Sequence, residues 1–297
     1  MKILITGKDG QLGWELQRSV AGLGDIVATG RQELDLSNPT GIRQLVRSIR
    51  PDVVLNTAAY NAVDRAESEP DIALKINAVA PGLLAEECRG LGALLIHFST
   101  DYVFDGKRST PYAEEDEAVP LSVYGRSKLA GEQAIRAANG RALIFRTAWL
   151  YSDHRDNFVL TMRRLAKQKS ELSVVHDQTG TPTWVKPLSD AITKICELGL
   201  SRRGSVLGEG APIYHATCLG EATRYEFVRA ILEDLAKKAP NESIARLTPI
   251  PSADYPSPAR RPKYSVLSNA KLERDFGVRL PDWQSAFIQF AQATRAR

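Results

Sequence analysis

The sequence predicts an α/β fold: a doubly wound parallel sheet with helices on both faces, followed by a smaller C-terminal substrate-binding lobe. Three observations predict it. Short apolar runs alternate with helix-like stretches through the first half of the 297 residues. A turn with glycines three apart, Gly7-Lys8-Asp9-Gly10-Gln11-Leu12-Gly13, follows the first run. After Tyr151 the regular alternation stops.

The elements follow in order. Lys2–Thr6 reads as a buried strand and residues 13–23 as the helix after it. Asp25–Thr29 is a second strand. Residues 40–48 form a helix, stopped near Pro51, since a proline disfavours helix in the residue before it. Residues 52–56 are the third strand, 71–90 a helix and 93–99 the fourth strand. Residues 124–138 are helical and 142–146 the fifth strand. Beyond Tyr151, residues 157–169, 188–198 and 223–236 carry helical patterns. Gly180-Thr181-Pro182-Thr183 is a loop and 213–217 a late strand. Residues 249–262, rich in proline, read as an extended lid or crossover, and Leu280-Pro281-Asp282-Trp283 precedes a final helix. Residues 1–150, with about 183–218 returning, are assigned to a dinucleotide-binding domain, and 151–182 with 219–297 to the substrate lobe.

Composition removes several classes. Hydrophobic residues are 43% and charged residues 25%, ordinary for a globular protein. The net charge of +4 is spread along the chain, which argues only weakly for nucleic acid and against an acidic tail, and no nucleic-acid partner is expected. No apolar run reaches the roughly 18 residues of a membrane helix. The first residues lead straight into the glycine turn, unlike a signal peptide. Cys88, Cys196 and Cys218 lie far apart, with neither a disulfide framework nor a zinc pattern, which suits a reducing cytoplasm. His97, His154, His176 and His215 make no metal-ligand spacing, and His97, at a strand end, reads as packed.

The glycine turn stands where a first strand passes into a helix. Gly7, Gly10 and Gly13 let the backbone approach a ligand closely, and the helix start offers N–H groups to a pyrophosphate. The cofactor expected is therefore a nicotinamide dinucleotide. An acid at the end of the second strand would bind the ribose hydroxyls of NADH. This chain has Gly30-Arg31 there, and Arg31 suits a 2′-phosphate, so NADPH is expected, with NADH the alternative.

Tyr124-Gly125-Arg126-Ser127-Lys128 places a phenol and an ammonium four apart, on one helical face. A nearby positive charge favours the phenolate. Such a tyrosine exchanges a proton with a carbonyl oxygen near neutral pH. Ser99-Thr100-Asp101-Tyr102-Val103-Phe104 follows the fourth strand, at the sheet edge where ligands of such folds bind. The Thr100 hydroxyl there can hold a carbonyl oxygen against Tyr124.

With these residues in view, the chain resembles the dTDP-4-dehydrorhamnose reductases, of the extended branch of the short-chain dehydrogenase/reductase superfamily, whose fold is Rossmann-type. The resemblance covers essentially the whole length. It rests on Gly7–Gly13, on Ala58-Ala59-Tyr60-Asn61-Ala62-Val63-Asp64-Arg65-Ala66-Glu67 and on the Ser99-to-Phe104 stretch. It extends through the Tyr124 helix, Arg146-Thr147-Ala148-Trp149-Leu150-Tyr151 and Arg260-Arg261-Pro262 before Ser265. It implies Thr100, Tyr124 and Lys128 as catalytic residues. Gln11 and Leu12 would lie at the pyrophosphate, Asp35 and Leu36 at the adenosine, and Ala58, Ala59, Tyr60, Asn61 and Phe98 on the nicotinamide side. Thr100, Asp101 and Trp149 would contact the sugar nucleotide, with Arg260 and Arg261 placed to meet its diphosphate. The family usually has His or Phe at Tyr60 and Thr or Tyr at Asn61.

The implied reaction is reduction of the C4 keto group of dTDP-4-dehydro-L-rhamnose, the last step of dTDP-L-rhamnose synthesis. The product would feed cell-surface polysaccharide such as lipopolysaccharide. Other readings are reduction or epimerisation of a different nucleotide sugar, or a non-catalytic regulatory subunit that keeps the cofactor fold. The intact Thr100, Tyr124 and Lys128 argue against the last. Some members of the family dimerise through a metal held by acidic residues. Here the corresponding helix begins Thr183-Trp184-Val185-Lys186, and residues 284–291 hold no acid. The expectation is a monomer or weak homodimer that is not metal-bridged, with no metal site.

Overall fold

Residues 1–201 and 210–294 are described by the computed structural model. The first half runs β1 (Lys2–Thr6), α1 (Gln11–Ser19), β2 (Asp25–Thr29), α2 (Pro39–Ile49), β3 (Val53–Asn56), α3 (Val63–Ala66), α4 (Pro70–Leu74), α5 (Ala80–Leu91), β4 (Leu94–Thr100), α6 (Val123–Ala137) and β5 (Ala142–Thr147). The second runs β6 (Leu150–Tyr151), α7 (Phe158–Gln168), β7 (Glu171–Val175), β8 (Thr179–Gly180), β9 (Thr183–Trp184), α8 (Val185–Ser201), β10 (Ile213–His215), β11 (Ala222–Thr223), α9 (Arg224–Lys238), β12 (Arg246–Ile250), α10 (Ala270–Phe276) and α11 (Trp283–Ala293).

Strand periodicity builds two apolar faces. Ile3, Ile5, Val53, Leu55, Leu94, Ile96 and Leu143 turn to one side, against Leu12 and Leu16 of α1 and Leu188, Ile192 and Ile195 of α8. Leu4, Val54, Leu95 and Ile144 turn to the other, against Ile42 and Val46 of α2, Leu84 of α5 and Ile135 of α6. Each such side chain, fully buried, contributes roughly 1.5–3 kcal/mol. With both faces covered, the strands join in a six-stranded parallel sheet of order β10-β5-β4-β3-β1-β2. The order reverses beside β1, which leads to β2 on one side while β3 lies on the other. That reversal opens a crevice at the carboxyl ends of β1 and β3.

The structure departs from expectation in three places. The helix foreseen over residues 71–90 is broken into α4, a π-turn at Lys75–Val79, and α5. Pro81 has no N–H to give to the carbonyl four residues back, at Asn77, and its ring crowds that position. Residues 180–183 form two short strands as well as a turn: β8 pairs with β11 and β9 with β6. Within the proline-rich stretch from residue 249, Pro249 and Ile250 belong to β12, which pairs in parallel with the unforeseen β7. Pro249 is tolerated because this sheet has two strands, both of them edges.

Beyond the sheet, Tyr151 is fully buried among Phe227, Phe287 and Phe290, whose ring centroids lie 5.1–6.2 Å away. This cluster joins β6 to α9 and α11. Cys88, Cys196 and Cys218 are free and buried. Among the described residues, no helix is long and apolar enough to cross a membrane.

One polar pair crosses the core. Arg146 on β5 donates from Nε and Nη2 to the two Glu132 carboxylate oxygens, at 3.0 and 2.7 Å, with both side chains almost wholly buried. Ser99 Oγ donates to the same carboxylate at 2.5 Å. Removing one partner leaves an uncompensated buried charge. Glu132→Ala is expected to lower unfolding free energy by about 3–5 kcal/mol in urea titrations; an unchanged midpoint would show the pair to be dispensable.

Candidate active site

The glycine turn closes against the exit of β3. Gly7 has φ +75°, and a Cβ there would lie 2.9 Å from the Ala58 backbone. A Cβ on Gly13 would lie 2.2 Å from the Gly7 carbonyl oxygen. Thr57 Oγ1 donates to the Thr6 carbonyl at 2.6 Å, which ties the ends of β1 and β3 together. Gly10 stands at the N-cap of α1, with no side-chain cap and no acid in the first turn. The start of α1 therefore keeps N–H groups for an anionic ligand. Gln11 reaches the far side of the crevice, where its Oε1 accepts from Ser152 Oγ at 2.9 Å, while Leu12 is buried in the core.

Beyond β2 lies an open hollow lined by Lys8, Asp9, Arg31, Gln32 and Glu33. Lys8 Nζ and Glu33 Oε1 pair at 2.5 Å, and Glu33 Oε2 accepts from the Gly30 N–H at 2.8 Å. Arg31 is exposed in this hollow. Asp35 accepts from the backbone and hydroxyl of Ser37, which hold its carboxyl below the usual range; Leu36 is buried beside it.

On the opposite wall, Ala59 and Asn61 are exposed and Ala58 and Tyr60 half-buried. Asn77, from the π-turn, accepts from Tyr60 N at 2.8 Å, donates to Tyr60 O at 2.9 Å and donates to Ser127 Oγ at 2.9 Å. One buried amide thus fixes the β3 exit against the helix of Tyr124 and Lys128. Tyr60 Oη donates to Glu69 at 2.6 Å.

Thr100 ends β4 as the N-cap of a short 3-10 turn, its Oγ1 accepting from Tyr102 N at 3.2 Å. The same hydroxyl donates to Asp101 Oδ1 at 3.0 Å and lies beside Tyr124, whose phenolate it favours. Asp101 Oδ2 accepts from Ser265 Oγ at 2.6 Å, and burial pushes its carboxyl up to about 6.

The Tyr124–Lys128 relation differs from the sequence expectation. Burial raises the Tyr124 hydroxyl above its usual range, with the hydrogen bond from Thr100 opposing it, and no lowering arises from Lys128. Lys128 Nζ turns instead to the strand: it donates to the Phe98 carbonyl at 2.7 Å and lies 3.3 Å from His97 Nε2. Burial lowers Lys128 to about 8, opposed by Glu132. The Phe98 ring itself packs near Phe145, at 6.1 Å.

Trp149 adopts φ +45°, and its ring occupies the space a Gly180 Cβ would fill, within 2.6–2.8 Å. The Arg224 guanidinium stacks 3.6 Å from its centroid, and Arg224 Nη2 donates to Tyr102 Oη at 3.4 Å. Arg260 is exposed. Arg261 donates to Asp64 Oδ2 at 2.7 Å. Sequence reasoning missed Asn77, Arg224 and the Arg261–Asp64 pair. A polar Asn on an otherwise apolar helical face was the available signal for the first; the others required the fold.

An uncapped helix start asks for an anion, and the phenol beyond it asks for a carbonyl. That combination defines a short-chain dehydrogenase/reductase with a Rossmann fold. The chain belongs to the dTDP-4-dehydrorhamnose reductase family, a family of oxidoreductases. A family model described as RmlD substrate binding domain matches residues 1–296. A dTDP-4-dehydrorhamnose reductase of Burkholderia thailandensis is 43% identical over 288 residues, 96% of each chain. The crystal structure of one from Clostridium acetobutylicum matches with a TM-score of 0.90 at 38% identity, covering 99% of this chain and 100% of that one. Another, from Bacillus anthracis in complex with NADP, matches at 0.88 and 35% identity, covering 97% and 98%.

The raised Asp101 pKa carries a pH dependence. Between the ordinary value near 3.9 and about 6, the folded protein holds a proton that the unfolded chain has released. Stability therefore falls as pH rises through that window. Asp101→Asn lacks this loss, so its stability relative to wild type is expected to improve from pH 4.5 to 7 in denaturant titrations. A difference that stays constant with pH contradicts the assignment.

Proposed function

We propose that this protein reduces the C4 keto group of dTDP-4-dehydro-L-rhamnose to dTDP-L-rhamnose, with Tyr124 as proton donor. The observation that carries the reading is Tyr124 beside Thr100, one helical turn from a buried Lys128 and at the edge of the glycine-turn crevice. NADPH, when bound, supplies the hydride. The uncapped start of α1 and the bare Gly7–Ala58 contact suit its pyrophosphate. Lys8 and Arg31 supply two cations for a 2′-phosphate, and Glu33 offers an acceptor for the free hydroxyls of NADH. The Bacillus anthracis relative was solved with NADP, which favours the phosphorylated form.

The proton chemistry follows from the side chains. Burial keeps the Tyr124 phenol protonated at neutral pH. As hydride reaches C4, negative charge grows on the keto oxygen. Tyr124 protonates that oxygen, and Thr100 turns its hydroxyl from Asp101 to donate a hydrogen bond to it. Lys128, still largely ammonium below pH 8, holds its charge against the Phe98 carbonyl and His97, one helical turn from the phenol. Arg260 offers a fork to the diphosphate, and Trp149, with Arg224 stacked on it, lines the sugar side. Residues 1–150 with the segment around α8 and β10 serve the cofactor, and the remainder serves the sugar nucleotide.

The test is NADPH oxidation with dTDP-4-dehydro-L-rhamnose; no turnover by folded protein would sink the reading. Tyr124→Phe is expected to lose about 10²–10⁴-fold in kcat, with NADPH affinity by fluorescence titration nearly unchanged. Full activity in that variant removes the proton-donor role. Arg31→Ala is expected to raise KM for NADPH several-fold more than KM for NADH. Equal changes would place the 2′-phosphate elsewhere.

A further inference from the structure

A polar row crosses the sheet directly beneath Lys128. Thr6, Asn56 and His97 are register partners on β1, β3 and β4, so their side chains lie side by side on one face. All three are almost wholly buried, His97 completely. Thr6 Oγ1 donates to Asn56 Oδ1 at 2.7 Å, and Asn56 Nδ2 lies 2.9 Å from His97 Nδ1. With the amide this way round, Nδ1 accepts and the imidazole proton sits on Nε2. That proton then points at Lys128 Nζ, 3.3 Å away, and two donors face each other unless the lysine is a neutral amine.

Turned by 180°, the Asn56 amide keeps both distances. Its oxygen accepts from Nδ1–H, its nitrogen donates to the Thr6 hydroxyl, and Nε2 is left as an acceptor. An ammonium selects this second arrangement. We infer that His97 is a positioning residue for Lys128: held in the Nδ1–H tautomer by Asn56 and Thr6, it accepts a hydrogen bond from the Lys128 ammonium and keeps that ammonium charged within the site.

The surroundings leave this task to His97. Burial disfavours the imidazolium strongly, and the adjacent Lys128 adds to the effect, so His97 stays neutral and able to accept. From α6 itself, the carboxylate facing Lys128 is Glu132, whose oxygens are engaged by Arg146 of β5 and by Ser99. The π-turn brings Asn77 and the helix Ser127, both uncharged. Asp101 and Tyr102, on the turn after β4, act on Tyr124. Among the described residues, His97 Nε2 is, apart from the Phe98 carbonyl, the acceptor within reach of Nζ. A hydrogen bond to a charged group of this kind is worth roughly one pKa unit or more.

Two measurements test the inference, which rests on the proposed reduction only for the second. The first uses the native protein labelled with ¹⁵N-histidine. At pH 6.5 His97 is expected to carry its proton on Nδ1. Its Nε2 resonance should move between pH 7 and 9, with a midpoint near the Lys128 value of about 8, and stay fixed in Lys128→Met. A proton on Nε2 at pH 6.5, or a flat Nε2 resonance, overturns the proposal. The second is the pH profile of kcat/KM. His97→Leu is expected to move the alkaline limb about one pH unit toward acid, with kcat affected more than KM, and His97→Gln to restore most of the shift through its amide oxygen. An unmoved limb, with activity following only the folded fraction, makes the role structural. If His97→Leu fails to fold, the imidazole spectrum decides alone. If the wild type does not reduce the sugar nucleotide, the functional reading falls while the spectrum still decides this one.

Discussion

A lysine that is 2% exposed is the constraint on which the site depends. An ammonium in the core must have its donors matched or lose its proton. Lys128 is matched by a strand carbonyl at Phe98 and approached by His97 on the same strand. Both partners belong to β4, so the position of the charge is set by the sheet. The helix follows: Gly131 passes so close to the π-turn that a Cβ would lie 2.1 Å from the Asn77 carbonyl oxygen, and Gly125 lies equally close to Tyr102. Close approach of α6 on both sides brings Tyr124 to Thr100 and leaves Lys128 no route to water.

The same contacts bind distant parts of the chain to this centre. Asn77 locks the β3 exit to Ser127 of α6. Asp64, from the segment after that exit, accepts from Arg261, nearly two hundred residues on, and Ser265 reaches back to Asp101. Gly106 packs against Pro262 and Lys263, where a Cβ would lie 2.6 Å away. The arm around residues 257–265 is therefore part of the wall around Thr100 and Asp101, although it comes from the end of the chain.

Much of this was legible because parallel strands buried on both faces leave strong local marks. β1 and β2 have the bounds their apolar runs implied, and the helix of Tyr124 and Lys128 shifts by one residue. The glycine turn was readable because its positions cannot carry a side chain. What escaped was set by partners far away in sequence. The π-turn depends on Pro81 meeting Asn77, and β7 has alternation too short to stand out until β12 pairs with it. The direction of Lys128 was misjudged for the same reason. Spacing of four residues puts two side chains on one face, but it cannot say that a carbonyl and an imidazole from the neighbouring strand compete for the ammonium.

The two sides of the crevice are constrained differently, and this bears on where specificity resides. On the cofactor side the backbone itself is fixed, by glycines that abut carbonyls and by register across the sheet. On the other side the contacts are between side chains. Trp149 sits over Gly180 in a left-handed conformation and is covered by Arg224, which also reaches Tyr102. A stacked guanidinium is held by cation–π attraction of about 0.5–2 kcal/mol, far less than the cost of moving a sheet strand. On the proposed reading, proton chemistry rests on the rigid part of the molecule and recognition of the sugar on side chains that can be exchanged without disturbing it, so one fold can serve different substrates.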